Sequence, residues 1–484
     1  MEYPFSECAV ARYDALAGAA GKGAVDAQTE HDLLLQPYLA VVGAGASIFG
    51  RQVLYRRLRR GLDAAELSAV RARVAALLAD GAALERCAAP LQVLRKASAE
   101  VADTLFGAPL PAVPRWSSWL WLLPLAFVAS AVASVFWLAA LLPAVLLSLL
   151  LMAIQVTHHA RVQQWESVAE ALRLQLYAHS RQEAAPGAEQ AGRLRGMLAR
   201  SAATTLPGVV EYADWIMLAN LKHYFHTRRL VTGHAAFLRE SYRLVAGLDA
   251  DLALAHHLAA QAQWCWAEEG WEQEIHLQAV THPLLAGAQA LDLSLEGSSA
   301  FISGQNGIGK STLLRTVGLN LLAARGFGFC YAAAARVPNL PVVASMQNED
   351  ALADGESLYQ SELRRAQELI MLSRQPQRAV YIIDEIFRGT NHMESVSAAA
   401  AVLEELAAQG TVLVSSHNVV LAQLLDRCCV PLLVQRRGER LVLTPGVLSD
   451  INGLALLAQS GFDPAIERRA REVYKRLSGR LLPA

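Results

Sequence analysis

Residues 116–160 contain no Asp, Glu, Lys or Arg, and no other feature restricts the fold of this chain more. One bilayer crossing takes roughly 20 apolar residues, so the stretch is long enough for two helices and too long for one. A helical hairpin buried in a large soluble core is the alternative, although soluble cores rarely need so long a charge-free run. The pattern predicts a transmembrane hairpin, with helices over 117–134 and 137–156 turning near Val135-Phe136-Trp137. Trp116, Trp119 and Trp121 cluster at one end and suit a membrane–water interface. Arg115 and Arg161 flank the segment and by the positive-inside preference put both ends in the cytoplasm. The expected location is therefore the cytoplasmic membrane, with the rest of the chain facing the cytoplasm.

A second feature fixes the chemistry. Gly304-Gln305-Asn306-Gly307-Ile308-Gly309-Lys310-Ser311-Thr312 fits the phosphate-binding pattern G-x-x-x-x-G-K-[ST]. The apolar run Ala300-Phe301-Ile302 before it reads as a strand, and Leu313-Leu314-Arg315-Thr316-Val317 after it reads as a helix. In that context the glycines let backbone N–H groups curl around phosphates, and the helix N-terminus adds partial positive charge. Lys310 is placed to reach the β- and γ-phosphates of ATP, and the Ser311 hydroxyl to ligate Mg²⁺. A glycine-rich turn without a ligand is the plainer reading; the strand and helix around the loop argue against it.

Downstream, Ala379-Val380-Tyr381-Ile382-Ile383 reads as a buried strand ending in the paired carboxylates Asp384 and Glu385. Asp384 is expected to hold Mg²⁺ through water, and Glu385 to activate the attacking water. Thr411-Val412-Leu413-Val414-Ser415-Ser416-His417 is another such run. It delivers His417 to the C-terminal edge of a sheet, where ligands sit in open α/β folds. His417 is expected to donate a hydrogen bond to the γ-phosphate. Taken singly, an acidic turn or a lone histidine is more often structural; their order behind the loop favours catalysis by Lys310, Glu385 and His417.

At 484 residues the chain has room for two or three domains. Its net charge of −1 supplies no global attraction to nucleic acid. The opening residues, with Glu2, Glu7 and Asp14, do not have the layout of a secretory signal. The six cysteines show no C-x-x-C spacing, so neither zinc nor a disulfide framework is indicated, and they read as incidental thiols in a reducing compartment. We divide the chain into an N-terminal segment (1–31), a first helical region (32–110), a linker and hairpin (111–160), a second helical region (161–274) and an α/β domain (275–484). Gly50, Gly61 and Gly81 punctuate the first helical region. Residues 161–184 read as a polar continuation of the second hairpin helix, broken at Ala185-Pro186-Gly187. Around 275 the period changes from helical to alternating. Arg51, Arg56, Arg57, Arg59 and Arg60 read as a solvated helix face, with nucleic acid or anionic lipid as the alternative. Phe5-Ser6-Glu7 has the form of the Phe-x-Glu that mismatch-recognition domains wedge into DNA, but no globular context supports that role.

Asp350-Ala351-Leu352-Ala353-Asp354-Gly355-Glu356-Ser357-Leu358-Tyr359-Gln360-Ser361-Glu362 resembles the D-x-L-x-x-G-x-S-x-[FY]-x-x-E motif of MutS-family ATPases. Asp384-Glu385-Ile386-Phe387-Arg388-Gly389-Thr390 is similar to that family's D-E-x-x-x-G-T. Thr281-His282-Pro283-Leu284 matches its entry motif, and Ile451-Asn452-Gly453 through Ser460-Gly461-Phe462-Asp463 and 466–477 resembles its closing helix-turn-helix. Residues 32–33, 47–58 and 66–84 resemble its helical core more loosely. The resemblance implies an α/β P-loop NTPase domain behind an all-α core-like region, here interrupted by the hairpin. It implies a homodimer with composite sites, in which Ser357 acts on the partner's γ-phosphate and Gly389-Thr390 lines the dimer face. The loop itself, Gln305-Asn306-Gly307-Ile308, is closer to the transporter type than to the mismatch-repair P-N-M-G form. Segment 1–31 is too short for a mismatch-reading domain, and the hairpin stands where the family has lever helices and a DNA clamp.

Three functions are compatible with these residues. The first is a membrane-anchored MutS-like ATPase whose dimer passes ATP-driven motion into the helices, toward a protein partner the sequence does not identify. The second is a DNA-binding member acting on mismatched or branched DNA in repair or recombination. The third, a transporter-type ABC ATPase, lacks L-S-G-G-Q and has too few membrane helices for a translocation path.

Overall fold

A computed structural model describes residues 3–18, 23–182, 185–200, 209–346, 358–388, 391–438, 440–448 and 462–481. The chain forms two compact units, one from 1–19, 42–56 and 72–260, the other from 20–41, 57–71 and 261–484.

The first unit is helical. Its longest helix, Leu141–Ser180, runs 40 residues without interruption, so the apolar hairpin arm and the polar continuation predicted behind it are one rod of about 60 Å. Helix Leu122–Phe136 packs against the apolar part. Both hairpin helices begin later than the sequence pattern suggests. Residues Arg115–Trp119 and Leu138–Ala140 are 3₁₀ turns instead. Pro124 and Pro143 explain the shift: lacking an N–H, each is tolerated in a first helical turn and costly deeper inside. The apolar windows of the two arms are 11% and 17% buried, so most of their apolar surface is left uncovered by this chain. Beyond it, Trp165 Nε1 donates to Thr227 Oγ1 at 2.8 Å and Gln175 Nε2 to the Leu238 carbonyl at 3.0 Å. These bonds seat the rod on helices Ala219–Gly233 and Ala235–Ala259.

Two sequence expectations change here. Gly50 lies inside helix Ile48–Arg60 rather than at a break. A Cβ there would meet Asp249 Oδ2 at 2.5 Å, and that same oxygen accepts from the N–H groups of Ser47 (3.0 Å) and Gly50 (3.1 Å). A carboxylate from another helix thus caps this helix N-terminus, and glycine is what lets it approach. Nor do the arginines of this helix form a solvated face. Arg51 stacks on the Tyr3 ring at 3.5 Å and Arg56 pairs with Asp14 at 3.4 Å. In the second unit Arg57 is buried and Arg59 pairs with Glu30 at 2.8 Å. Ser6, from the Phe5-Ser6-Glu7 triplet, is simply the N-cap of helix Glu7–Leu16, its hydroxyl accepting from Ala9 N.

The second unit is α/β. Its strands are β1 (Cys265–Trp266), β2 (Glu268–Glu269), β3 (Glu274–Val280), β4 (Leu291–Glu296), β5 (Ser299–Gly304), β6 (Phe329–Cys330), β7 (Ala334–Val337), β8 (Val342–Ser345), β9 (Val380–Asp384), β10 (Thr411–Ser415), β11 (Cys429–Arg437) and β12 (Arg440–Pro445). Six form one sheet in the order β12-β11-β5-β10-β9-β8, with β12 antiparallel and the other neighbours parallel. Four form a smaller sheet, β2-β7-β3-β4. β5, β9 and β10 are buried along their whole length, which is why they read as continuous apolar runs. Tyr381, Ile383, Val412 and Val414 pack with Leu403 and Leu406 of helix His392–Gln409 and Leu369 of helix Leu358–Ser373. The β8 edge is finished by residues remote in sequence. Thr29 Oγ1 accepts from Ala344 N at 2.8 Å, and Asp32 Oδ2 accepts from Met346 N at 2.8 Å. Polar side chains thereby answer edge groups that would otherwise be open to pairing.

Candidate functional site

The glycine loop joins β5 to helix Lys310–Phe327. Gly307 (φ +74°) and Gly309 (φ +109°) occupy backbone conformations that disfavour side chains. A Cβ at Gly304 would stand 2.9 Å from the Val434 carbonyl, so the close approach of β11 requires glycine there too. Ile308 N donates to the Gln305 carbonyl at 3.3 Å, closing the turn, and Gln305 and Asn306 are exposed at its crest. Ser311 and Thr312 stand in the first helical turn, both half-buried. Lys310 is 6% exposed, and its ammonium donates to the carbonyls of Gly304 (3.1 Å) and Gln305 (3.3 Å). Burial lowers its pKa, while the negative charges of Glu385 and Asp384 act the other way.

Those carboxylates arrive on β9. Asp384 ends the strand, 4% exposed, and lies opposite Ser415 in the parallel β9–β10 register. Neighbouring side chains in that register share a face, and the Ser415 hydroxyl donates to Asp384 Oδ1. Glu385 follows with φ +54°, and Phe387 with φ +56°. Left-handed geometry at residues with side chains costs of order 1–3 kcal/mol and concentrates at functional sites. It is sustained here by Glu385 N donating to the Ser415 carbonyl at 3.0 Å and by complete burial of Phe387.

The Glu385 carboxylate is held from two sides. His417 Nε2, just past β10, lies 2.9 Å from Oε1, and Arg388 Nε lies 3.3 Å from Oε2. Burial alone would raise its pKa, yet the His417 hydrogen bond and the charges of His417, Arg388 and Lys310 hold it below the usual carboxylate value. Arg388 is fixed in turn by Glu362, whose two oxygens accept from the Arg388 N–H at 3.1 and 2.9 Å. Glu385, Phe387, Arg388, His392, Ser416 and His417 line a cavity of about 370 Å³.

Lys310, Asp384, Glu385 and His417 are therefore together at one edge of the large sheet, as their order in the sequence predicts. The sequence pattern alone does not mark Arg388 or Ser415 as part of this site. Ser415 directly precedes the Ser416-His417 pair, and Glu362, which binds the Arg388 N–H, closes the D-x-L-x-x-G-x-S-x-[FY]-x-x-E motif. Ser357, Gly389 and Thr390 lie outside the described residues, as do 350–356 and 451–461 of the resembling motifs. His282, of the entry motif, is buried, and its Nδ1 accepts from Leu284 N at 3.1 Å. Among the described residues, no group of three or more His, Cys, Asp or Glu side chains forms a metal cluster. The Ser311 hydroxyl and the Asp384 carboxylate are hard oxygen donors of the kind that suit Mg²⁺, which commonly binds through one or two carboxylates and substrate oxygens.

Residues 300–477 match the family described as MutS domain V. The chain is similar to the DNA mismatch repair protein MutS of Synechococcus sp. (strain CC9311), 28% identical over 264 residues, covering 51% of this chain and 29% of that protein. It is similar to the protein of the same description from Thermus aquaticus, 26% identical over 268 residues (53% and 32%). A third, from Anaeromyxobacter sp. (strain Fw109-5), is 30% identical over 279 residues (52% and 31%). The aligned part spans less than a third of the length of each of these relatives.

Proposed function

For a chain that belongs to the MutS family through its C-terminal half, we propose the function of a membrane-anchored ATPase. It hydrolyses ATP at composite sites of a homodimer and passes the resulting motion into its helical unit. The observation that carries this reading is the meeting of Lys310, Asp384, Glu385 and His417 at the C-terminal edge of β5, β9 and β10, where open α/β sheets bind ligands.

In this mechanism the loop from Gly304 to Thr312 cradles the phosphates, and Lys310 turns its ammonium from its own carbonyls to phosphate oxygens. Ser311 and Asp384 would hold Mg²⁺, which when bound would offset the negative charge of the phosphates. Glu385 takes the proton of the attacking water, and its depressed pKa keeps it ionised for that task. His417 orients the Glu385 carboxylate through Nε2, and as the doubly protonated imidazolium it would have Nδ1–H left to donate to the γ-phosphate. Ser357 completes the partner's site, as in the family motif it matches.

Arg388 is a positioning residue in this scheme, and its removal has a defined sign. Loss of its charge raises the Glu385 pKa. A base works when ionised, so the acid limb of the kcat/KM–pH profile should move to higher pH in Arg388→Gln. An unmoved limb would separate Arg388 from the base.

The exposed hairpin supports the anchor. Full-length protein should stay with membranes after alkaline extraction, whereas a chain lacking 116–160 should appear in the soluble fraction; membrane pelleting of the deleted chain contradicts the anchor. A second reading, action on DNA, is favoured by the description of the relatives as DNA mismatch repair proteins. Steeply salt-dependent duplex binding by the purified chain would favour it over the first.

A further inference from the structure

The foot of the hairpin carries more positive charge than its packing uses. Residues 104–165 and 215–239 contain no Asp or Glu. These two stretches are packed on each other: Leu218, Leu221 and Phe225 share an apolar cluster with Leu120, Leu151 and Val162. Trp116 meets the Phe225 ring edge-on at 5.4 Å, so helix Ala219–Gly233 lies beside the tryptophans that begin the first hairpin arm.

Not every cation in these stretches is available. Arg228 is buried, donating to Tyr224 Oη at 3.1 Å and to the Pro111 carbonyl, and holds the linker in place. Arg115, Arg161 and Arg229 are exposed and Lys222 is half-buried. Among the described residues none of these four has a carboxylate partner. Arg229 instead reaches the hydroxyl of Ser118 at 3.2 Å. The four acids that bound the two stretches are engaged elsewhere: Glu166 and Asp214 by Arg200, Asp103 by Arg12 and Glu240 by Arg243. Exposed cations, indole rings and an apolar hairpin thus follow one another along one end of the unit, and among the described residues no acid pairs with these four cations.

We infer that this foot is a binding collar for anionic phospholipids, in which Arg115, Arg161, Lys222 and Arg229 take lipid phosphates at the depth of Trp116, Trp119 and Trp121. The inference rests on the membrane reading of the hairpin and adds a lipid class to it. Charge complementarity selects the occupant. A cytoplasmic leaflet carries negative surface potential that attracts clustered Lys and Arg, and Trp favours the headgroup level. The collar also places helix Ala219–Gly233 against the leaflet, so the lipid contact extends beyond the hairpin itself.

Tryptophan quenching in reconstituted full-length protein tests this. Two vesicle preparations of identical phosphatidylcholine–phosphatidylglycerol composition carry bromine near the headgroup, on the anionic lipid in one and on an equal amount of the zwitterionic lipid in the other. The brominated anionic lipid should quench about twofold more strongly. That excess should disappear in Arg115→Gln/Arg161→Gln/Lys222→Gln/Arg229→Gln. In the wild-type chain alone it should shrink as salt screens the headgroups, so the test stands even where the fourfold variant does not fold. Equal quenching by both lipids in the wild type overturns the collar, as does an excess that survives both the variant and high salt. Quenching by neither lipid overturns the anchor instead.

Discussion

Glu385→Gln should leave ATP bound and slow its hydrolysis by about 10²–10⁴-fold, the range attributed to a positioned general base. The substitution is nearly isosteric, and the features that place residue 385 are backbone ones: its N–H donates to the Ser415 carbonyl and its φ is +54°. Gln keeps an oxygen toward His417 Nε2, so the cavity wall survives. What it loses is the capacity to accept a proton, together with a negative charge between Arg388 and Lys310. Binding is expected to persist because the loop and its lysine are untouched. Single-turnover phosphate release with bound nucleotide measured separately distinguishes the two effects. A near-normal rate would assign the proton to another group, and Asp384 would be the first alternative, being the other carboxylate at this sheet edge.

Lys310→Ala is expected to act on nucleotide binding itself, weakening ATP affinity about 10–100-fold, as loss of a charge-assisted hydrogen bond does. Lys310 is 6% exposed as a residue, and its ammonium donates to two carbonyls of its own loop. Those carbonyls compete weakly with a triphosphate, so the lysine is held close to where phosphate oxygens would replace them. The folded chain should be little affected, because those bonds join the lysine only to the loop. Equilibrium binding of a fluorescent ATP analogue, paired with a thermal melt, reads both quantities. Unchanged affinity with an unchanged melting temperature would remove the loop from the site.

Much of the site was legible because its determinants are local. A buried parallel strand is a continuous apolar run, and β5, β9 and β10 each announce the functional residue that follows them. The hairpin was legible for the same reason, through the absence of charge over 116–160, although Pro124 and Pro143 set helix starts that hydrophobicity alone misplaces. What stayed hidden depends on contacts between remote residues. Thr29 bonds Ala344 across 315 positions, and nothing in the period of residues 27–32 reports that they finish a sheet edge. Gly50 reads as a helix break until Asp249 is seen against it. The arginines of helix Ile48–Arg60 look solvated in a linear pattern, because their partners Tyr3, Asp14 and Glu30 come from other segments. Arg388 belongs to the same class: its role depends on Glu362 and Glu385, which stand on different elements.

Magnesium-dependent phosphate release by the full-length chain in lipid nanodiscs, compared with Lys310→Ala prepared identically, is the most direct test of the ATPase at the centre of this reading. The wild-type chain should turn over ATP only with Mg²⁺, and the variant should stay at the level of protein-free discs. Equal phosphate release by both, or none from the wild-type chain at saturating ATP and Mg²⁺, would contradict it.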